Sequence, residues 1–196
     1  KARKMCDDAS FFNREAIYYP AKDAIFYSAD VHGNQITGER LRCISRIINH
    51  SSTGEGVLTV VTTMDGIADR LIPVERFKEA VITLDYSSEI EPEKLAKKLV
   101  AMGFVRTGMV EDKGQFAIRG GIIDIFSYTD EAPVRIELWD TEVDSIRMFD
   151  VESQRSIERL QSYSIFPATE YIFTEDELKN GLYNIKEECD RQLECF

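Results

Sequence analysis

The sequence predicts an α/β layer at each end of the chain and, between them, an α+β unit built on an antiparallel sheet. Three observations carry that reading. Residues 1 to about 80 alternate strand-like and helix-like segments, the order of an α/β layer. Beyond Gly103, short alternating segments recur between Gly, Asp and Pro, the pattern of an antiparallel sheet accompanied by one helix. From residue 161 an apolar stretch and a polar helix bring the first texture back, so the middle unit reads as inserted into, or appended to, an α/β domain.

In chain order, residues 5–14 read as the end of a helix whose apolar positions are Met5, Phe11 and Phe12. "AIYYPAKDAIFY", 16–27, gives two short strands around Pro20. After a polar turn at "HGN", Thr37 is placed to cap a helix in which Leu41, Ile44, Ile47 and Ile48 share one face. "VLTVVTT", 57–63, is continuously apolar and β-branched, as expected of a buried parallel strand. "MDGIADRLIPVERF" reads as a short helix closed before Pro73. "AVITLDY" is a strand, and "EPEKLAKKLVAMG" a helix with Pro92 in its first turn and Gly103 as its C-cap. "FVRTGMV", "GQFAIRGGIIDIF", "APVRIELW" and "EVDSIRMFD" supply the sheet. "YSIFPA" is a buried-strand candidate. "TEDELKNGLYNIKEECDRQLECF" is a polar helix with an acidic start, weakened at Gly181 by up to about 1 kcal/mol.

The charge pattern narrows the partners. Residues 1–80 balance 11 basic against 11 acidic side chains, 81–160 carry 10 against 16, and 161–196 carry 3 against 8, which makes up the net −11. Such a surface repels phosphate backbones, so independent DNA binding is disfavoured and a protein partner is expected. Lys1, Arg3 and Lys4 precede no apolar segment and no run approaches spanning length, so neither a signal peptide nor a membrane span is expected. Four scattered cysteines without a Cys-x-x-Cys pair, and two distant histidines, His32 and His50, point to reduced cytosolic thiols rather than disulfides or zinc.

Motifs for catalysis do not emerge. "GNQITGER" has the glycine spacing of a phosphate loop, but Glu39 stands where the phosphate-binding lysine belongs and Arg40 where the magnesium-binding hydroxyl belongs. "GFVRTG" lacks the strand-to-helix setting of a dinucleotide fingerprint, and Asp140 with Glu142 reads as a turn. The informative features lie on strand faces. In "VRIELW", Val134, Ile136 and Leu138 share one face, and Arg135, Glu137 and Trp139 the other. The plainer reading is an Arg135–Glu137 ion pair with Trp139 covered by a loop or the helix. The alternative is an interface, where Trp and Arg are enriched. In "GQFAIRGGIIDIF", Phe116 and Ile118 oppose Arg119, and Gly120-Gly121 permits a bulge or bend that fixes where Arg119 points. Periodicity leaves open whether Arg119 is an anchor or pairs with Asp124 or Glu137.

"GQFAIRGGIIDIF", "PVRIELWDTEVDSIRMFDVESQRSIE" and "IFPATEY" closely resemble the N-terminal, UvrB-like region of bacterial transcription-repair coupling factors (Mfd). "YYPAKDAIFYSADVHGNQITGERLRCISRI" is similar to that family as well, so the resemblance covers nearly the whole chain. UvrB shares the middle module and is the alternative. Its motif usually has a further arginine two positions before Arg119, where this chain has Ala117, and it carries a working phosphate loop near its start. The resemblance implies that 1–82 is part of a UvrB-like domain 1a, 83–160 an inserted domain 2, and 161–196 the return segment of domain 1b. Domain 2 in this family docks UvrA, the damage-recognition subunit of nucleotide excision repair. By motif the UvrA-contacting positions fall on Arg119, Arg135 and Trp139, the last usually Phe, and Arg106 matches a further basic position of the UvrB module. The resemblance also implies a cytoplasmic interaction fragment with no catalytic residue, cofactor or metal of its own. The family's ATP- and magnesium-dependent motor, and its contacts to RNA polymerase and double-stranded DNA, lie in regions outside this chain. In a further reading, the arginine face packs on the protein's own motor end, masked at rest and exposed during repair.

Overall fold

The computed structural model of the chain describes residues 1–12, 15–22, 30–54 and 56–194. The first third contains α1 (Ala2–Phe12), β1 (Ala16–Tyr19), α2 (Asp30–Thr53), β2 (Thr59–Thr62), α3 (Met64–Ala68) and α4 (Val74–Ala80). The middle contains β3 (Ile82–Asp85), α5 (Pro92–Ala101), β4 (Val105–Arg106), β5 (Gln115–Arg119), β6 (Ile122–Phe126), β7 (Val134–Trp139), β8 (Glu142–Phe149) and β9 (Ser156–Arg159). β10 (Ser162–Ile165) and α6 (Glu175–Glu194) close the described chain. β1 and β2 pair in parallel, and β10 pairs antiparallel with β3. The third sheet has the order β4-β5-β6-β7-β8-β9, antiparallel throughout except for the β4–β5 pair.

Several expectations for the first third are corrected. Met5, Phe11 and Phe12 are exposed, and Cys6 is the buried residue of α1, because the face turned to β1 and β2 passes through Cys6. "HGN" is no turn and Thr37 caps nothing, since α2 already runs from Asp30. Glycine inside a helix costs about 1 kcal/mol without forbidding it, and Gly38 has a packing reason to be there: a Cβ would lie 2.9 Å from the Tyr128 ring. β2 is parallel as expected but only partly buried, with Val60 exposed, because its sheet contains only β1 and β2 among the described residues. The stretch read as one helix closed before Pro73 is two. Thr63 caps α3 by accepting from the Gly66 N–H, the chain extends at Asp69, and α4 begins after Pro73, whose ring disfavours helical geometry just before it. Of the two strands expected around Pro20, the first is β1, while the second falls outside the described residues.

The middle third follows its pattern closely. α5 has Pro92 at its start and ends in a Schellman motif, in which Gly103 at φ 89° donates to the Val100 carbonyl and Phe104 to that of Leu99. Leu95, Ala96 and Leu99 of α5 pack on Phe116, Ile123, Ile125, Ile136 and Ile146, the inner face of the six-stranded sheet. Leu84, Tyr163 and Ile165 of the β3–β10 pair join the same core. α6 opens with a reciprocal cap: Thr174 Oγ1 accepts from the Glu177 N–H at 3.2 Å, and Glu177 Oε2 from the Thr174 N–H at 2.9 Å.

One device ties the first third to the middle, and another ties it to the last segment. Tyr128 lies between α2 and the loop before β5, so close that a Cβ on Gly114 would also meet its ring at 2.9 Å; Arg42 Nε donates to its carbonyl at 2.7 Å. Arg40 is fully buried. It grips both oxygens of Glu170 at 2.5 and 3.0 Å, the Pro20 carbonyl at 2.6 Å and Asp69 Oδ2 at 2.9 Å, with its guanidinium 4.3 Å from the Tyr19 ring centre. Burial opposes its charge, and the bond to Glu170 and that residue's charge outweigh it, so its pKa lies above the ordinary value.

Candidate functional site

Gly120-Gly121 turns out to be a complete reversal of the chain. Arg119 pairs with Ile122 across a two-residue hairpin loop, with Gly120 at φ 61°, the first central position where a type II′ turn demands glycine. Gly121 is needed for close approach: its carbonyl accepts from the Leu138 N–H at 2.7 Å, and a Cβ there would sit 2.9 Å from the Leu138 carbonyl oxygen. The turn is thereby seated on β7 beside Trp139.

The register places the polar residues on one face. Ala117, Asp124, Arg135 and Arg147 stand opposite one another across β5, β6, β7 and β8. Arg119 lies two residues beyond Ala117, diagonal to Asp124 and within reach of a long side chain. Asp124 is the centre. Its side chain is 1 % exposed, and it binds Arg119 Nη2 at 2.6 Å and Arg135 Nε and Nη2 at 2.7 and 2.9 Å. One carboxylate thus holds two guanidiniums, the second in a two-point grip.

The two arginines differ in freedom. Arg135, with a side chain 19 % exposed, also donates from Nη2 to Gln154 Oε1 at 2.9 Å and stacks 4.3 Å from the centre of the buried Phe149 ring. Its bond to Asp124, the largest influence, raises its pKa above the ordinary value. Gln154 sits at φ 57°, a left-handed conformation costing a non-glycine about 1 kcal/mol. Its N–H donates to the Asp150 carbonyl and its Nε2 to that of Val151, both at 2.8 Å. Arg119, 44 % exposed, has only the Asp124 bond among the described residues. Its Nε and Nη1, and Nη1 of Arg135, have no partner among those residues. Trp139 is 80 % exposed and is covered by neither loop nor helix among the described residues.

The Arg135–Glu137 pairing gives way to a different one. Glu137 accepts from Ser145 Oγ at 2.8 Å and from Arg147 Nη2, and Arg147 Nε donates to Ser145 Oγ at 3.1 Å. Burial pushes the Glu137 carboxyl up, but those two donors outweigh it and hold the value below the ordinary one. Arg106 is not brought to this cluster. It stands in register with the inward-facing Phe116, on the α5 side of the sheet, and binds Glu93 of α5 at 3.1 Å. Asp140, at φ 57°, forms the β7–β8 turn with Thr141. Sequence reasoning named Asp124 only as one possible partner and missed Gln154, Arg147 and Phe149. A lone acid inside "IIDIF", on the strand parity opposite Ile123 and Ile125, was the available signal for Asp124.

Residues 82–171 match the family described as the UvrB interaction domain, which contains this face entirely. The chain is 41 % identical over 187 residues, 94 % of its length, to the transcription-repair-coupling factor of Bacillus subtilis. It is 36 % identical over 195 residues to that of Staphylococcus aureus, and 36 % identical over 175 residues, 89 % of its length, to that of Staphylococcus haemolyticus. It spans 16 % of the first two of these proteins and 14 % of the third. With the UvrB interaction domain and these relatives along nearly all its residues, the chain belongs to the transcription-repair-coupling factor family, as a segment of its UvrB-like N-terminal region.

Proposed function

We propose that this chain is a protein-interaction module that recruits UvrA in transcription-coupled nucleotide excision repair, working by binding and not by catalysis. The observation that carries the proposal is the common face of Arg119, Arg135 and Trp139: two arginines with spare N–H groups beside an uncovered indole. Carboxylates on the partner would complete the guanidinium bonds around an aromatic contact. Arg106, on the other side of the sheet, would act only at the edge of such an interface, through β4.

The proposed division is 1–82 as part of domain 1a, 83–160 as the docking domain 2 and 161–196 as the return segment of domain 1b. It is supported by Arg40–Glu170, Lys22–Tyr171 and Arg76–Glu177, three links between the first and last segments. In this reading the fragment needs no cofactor or metal and works in the cytoplasm. ATP-driven translocation and contacts to RNA polymerase and double-stranded DNA would belong to the rest of the longer protein. The test is UvrA affinity of the chain with Arg119→Glu. A loss of at least about tenfold with an unchanged melting temperature is expected, since Arg119 is half exposed and singly bonded. Wild-type affinity in that variant would remove this face from the assignment.

A further inference from the structure

We infer that Asp124 is the positioning residue of the docking face: it never meets the partner but sets the directions in which both arginines meet it. This rests on the docking reading above and adds to it. Asp124 cannot be a contact itself, because its side chain is 1 % exposed beneath the groups it binds. It takes one bond from Arg119 and two from Arg135, so the two guanidiniums are fixed relative to each other through one carboxylate. The donors it leaves over, Nε and Nη1 of Arg119 and Nη1 of Arg135, have no partner among the described residues and are the ones a partner carboxylate would take. Arg119 is the adaptable member, with a single bond and a half-exposed stem. Arg135 is the fixed one, held also by Gln154 and by Phe149 beneath it.

Charge and direction make opposite forecasts for this residue. If Asp124 merely competed for the arginines, removing its charge would free two cations and strengthen binding to an acidic partner. If it positions them, the arginines lose their common anchor, ordering them falls to the partner, and binding weakens. The observations favour the second, because Arg135 is gripped at two points and the spare donors are not among those Asp124 binds.

The experiment measures UvrA affinity and melting temperature for the wild-type chain, Asp124→Asn, Arg119→Ala and the double variant. Asp124→Asn is expected to weaken binding about tenfold, and the double variant to lose clearly less than the product of the two single losses, because part of the Asp124 effect acts through Arg119. Losses that multiply, or an Asp124→Asn affinity within about twofold of wild type or tighter, overturn the inference. If Asp124→Asn shows no cooperative melt, Asp124→Glu decides: it keeps the carboxylate but shifts it by one methylene. About fivefold weaker binding supports positioning, since small displacements of a pre-organised group cost affinity, and unchanged affinity overturns it. The docking reading fails separately, by wild-type affinity in Arg119→Ala.

Discussion

Two clusters in this molecule join arginine to carboxylate, and each is the other turned inside out. Around Arg40 a single buried guanidinium sits at the centre, with Glu170, Asp69 and the Pro20 carbonyl about it. On the sheet a single buried carboxylate, Asp124, sits at the centre with Arg119 and Arg135 about it. An arginine surrounded by acceptors spends its donors inside the protein and has little to offer a partner. A carboxylate surrounded by arginines leaves guanidinium donors unbonded. The group at the centre therefore decides whether such a cluster is a clasp or a contact surface, although both are built from the same side chains.

The hardest blow to this comparison is Arg40→Ala. It leaves the buried Glu170 with only Lys22, at 3.0 Å, as its cation, and removing one member of a buried pair costs about 3–5 kcal/mol, so denaturant unfolding should shift by up to that amount. A shift below about 1 kcal/mol, the range of surface pairs, would mean that the clasp is not one. Next comes Arg135→Glu, which takes the two-point partner from Asp124 and puts a second carboxylate beside it. It should lower the melting temperature and abolish UvrA binding together, whereas Arg119→Glu lowers binding alone. Equal melting temperatures for the two variants would erase the distinction between fixed and adaptable arginine. Trp139 tests the uncovered indole: Trp139→Ala should weaken UvrA binding by about tenfold or more while Trp139→Phe stays within about threefold, because an aromatic platform survives. Equal losses in the two would argue that the ring is not the contact.

The smallest effect concerns acid. Glu137 is held below its ordinary value of 4.5 by Ser145 and Arg147 against the pull of burial. Its folded-state value lies below the unfolded one, so its stabilisation is complete above that ordinary value and is lost as pH falls through the folded value. The melting temperature of the wild-type chain should therefore drop more steeply on acidification than that of Glu137→Gln. Parallel profiles would show that the Glu137–Arg147 pair contributes nothing.

Much of the sheet could be read from the sequence because a strand has a period of two. Arg135, Glu137 and Trp139 had to share a face, and the opposition of Phe116 and Ile118 to Arg119 held in the structure. Which strand lies beside which is not a property of any one strand. The meeting of Asp124 with Arg135 depends on the β6–β7 register, and that of Asp124 with Arg119 on a tight reversal at Gly120-Gly121 where only a bulge or bend was expected. Arg40 was illegible for a similar reason. Its partners Asp69 and Glu170 lie 29 and 130 residues away, so its place in a failed phosphate-loop pattern carried no hint of its use. The start of α2 was misjudged because Thr37-Gly38 read as a cap and a first helical residue, whereas Gly38 lies inside the helix against Tyr128. The pairing of Ala117 with Asp124 adds a finer point. Ala117 is buried with Val110 and Phe126, so the position where UvrB usually has a further arginine is closed by apolar contacts in this chain.

Tyr128, with Gly38 on one side and Gly114 on the other, has a consequence for how this protein tolerates sequence drift. The three positions form a unit of volume: a methyl group added at either glycine meets the ring at 2.9 Å, and Gly114 at φ 80° resists substitution on its own account. A larger residue at 38 is tolerated only together with a smaller one at 128, which would loosen the seat between α2 and the sheet. Homologous chains should vary at these sites jointly or not at all, and the direction in which the proposed docking face points from α2 is inherited with them.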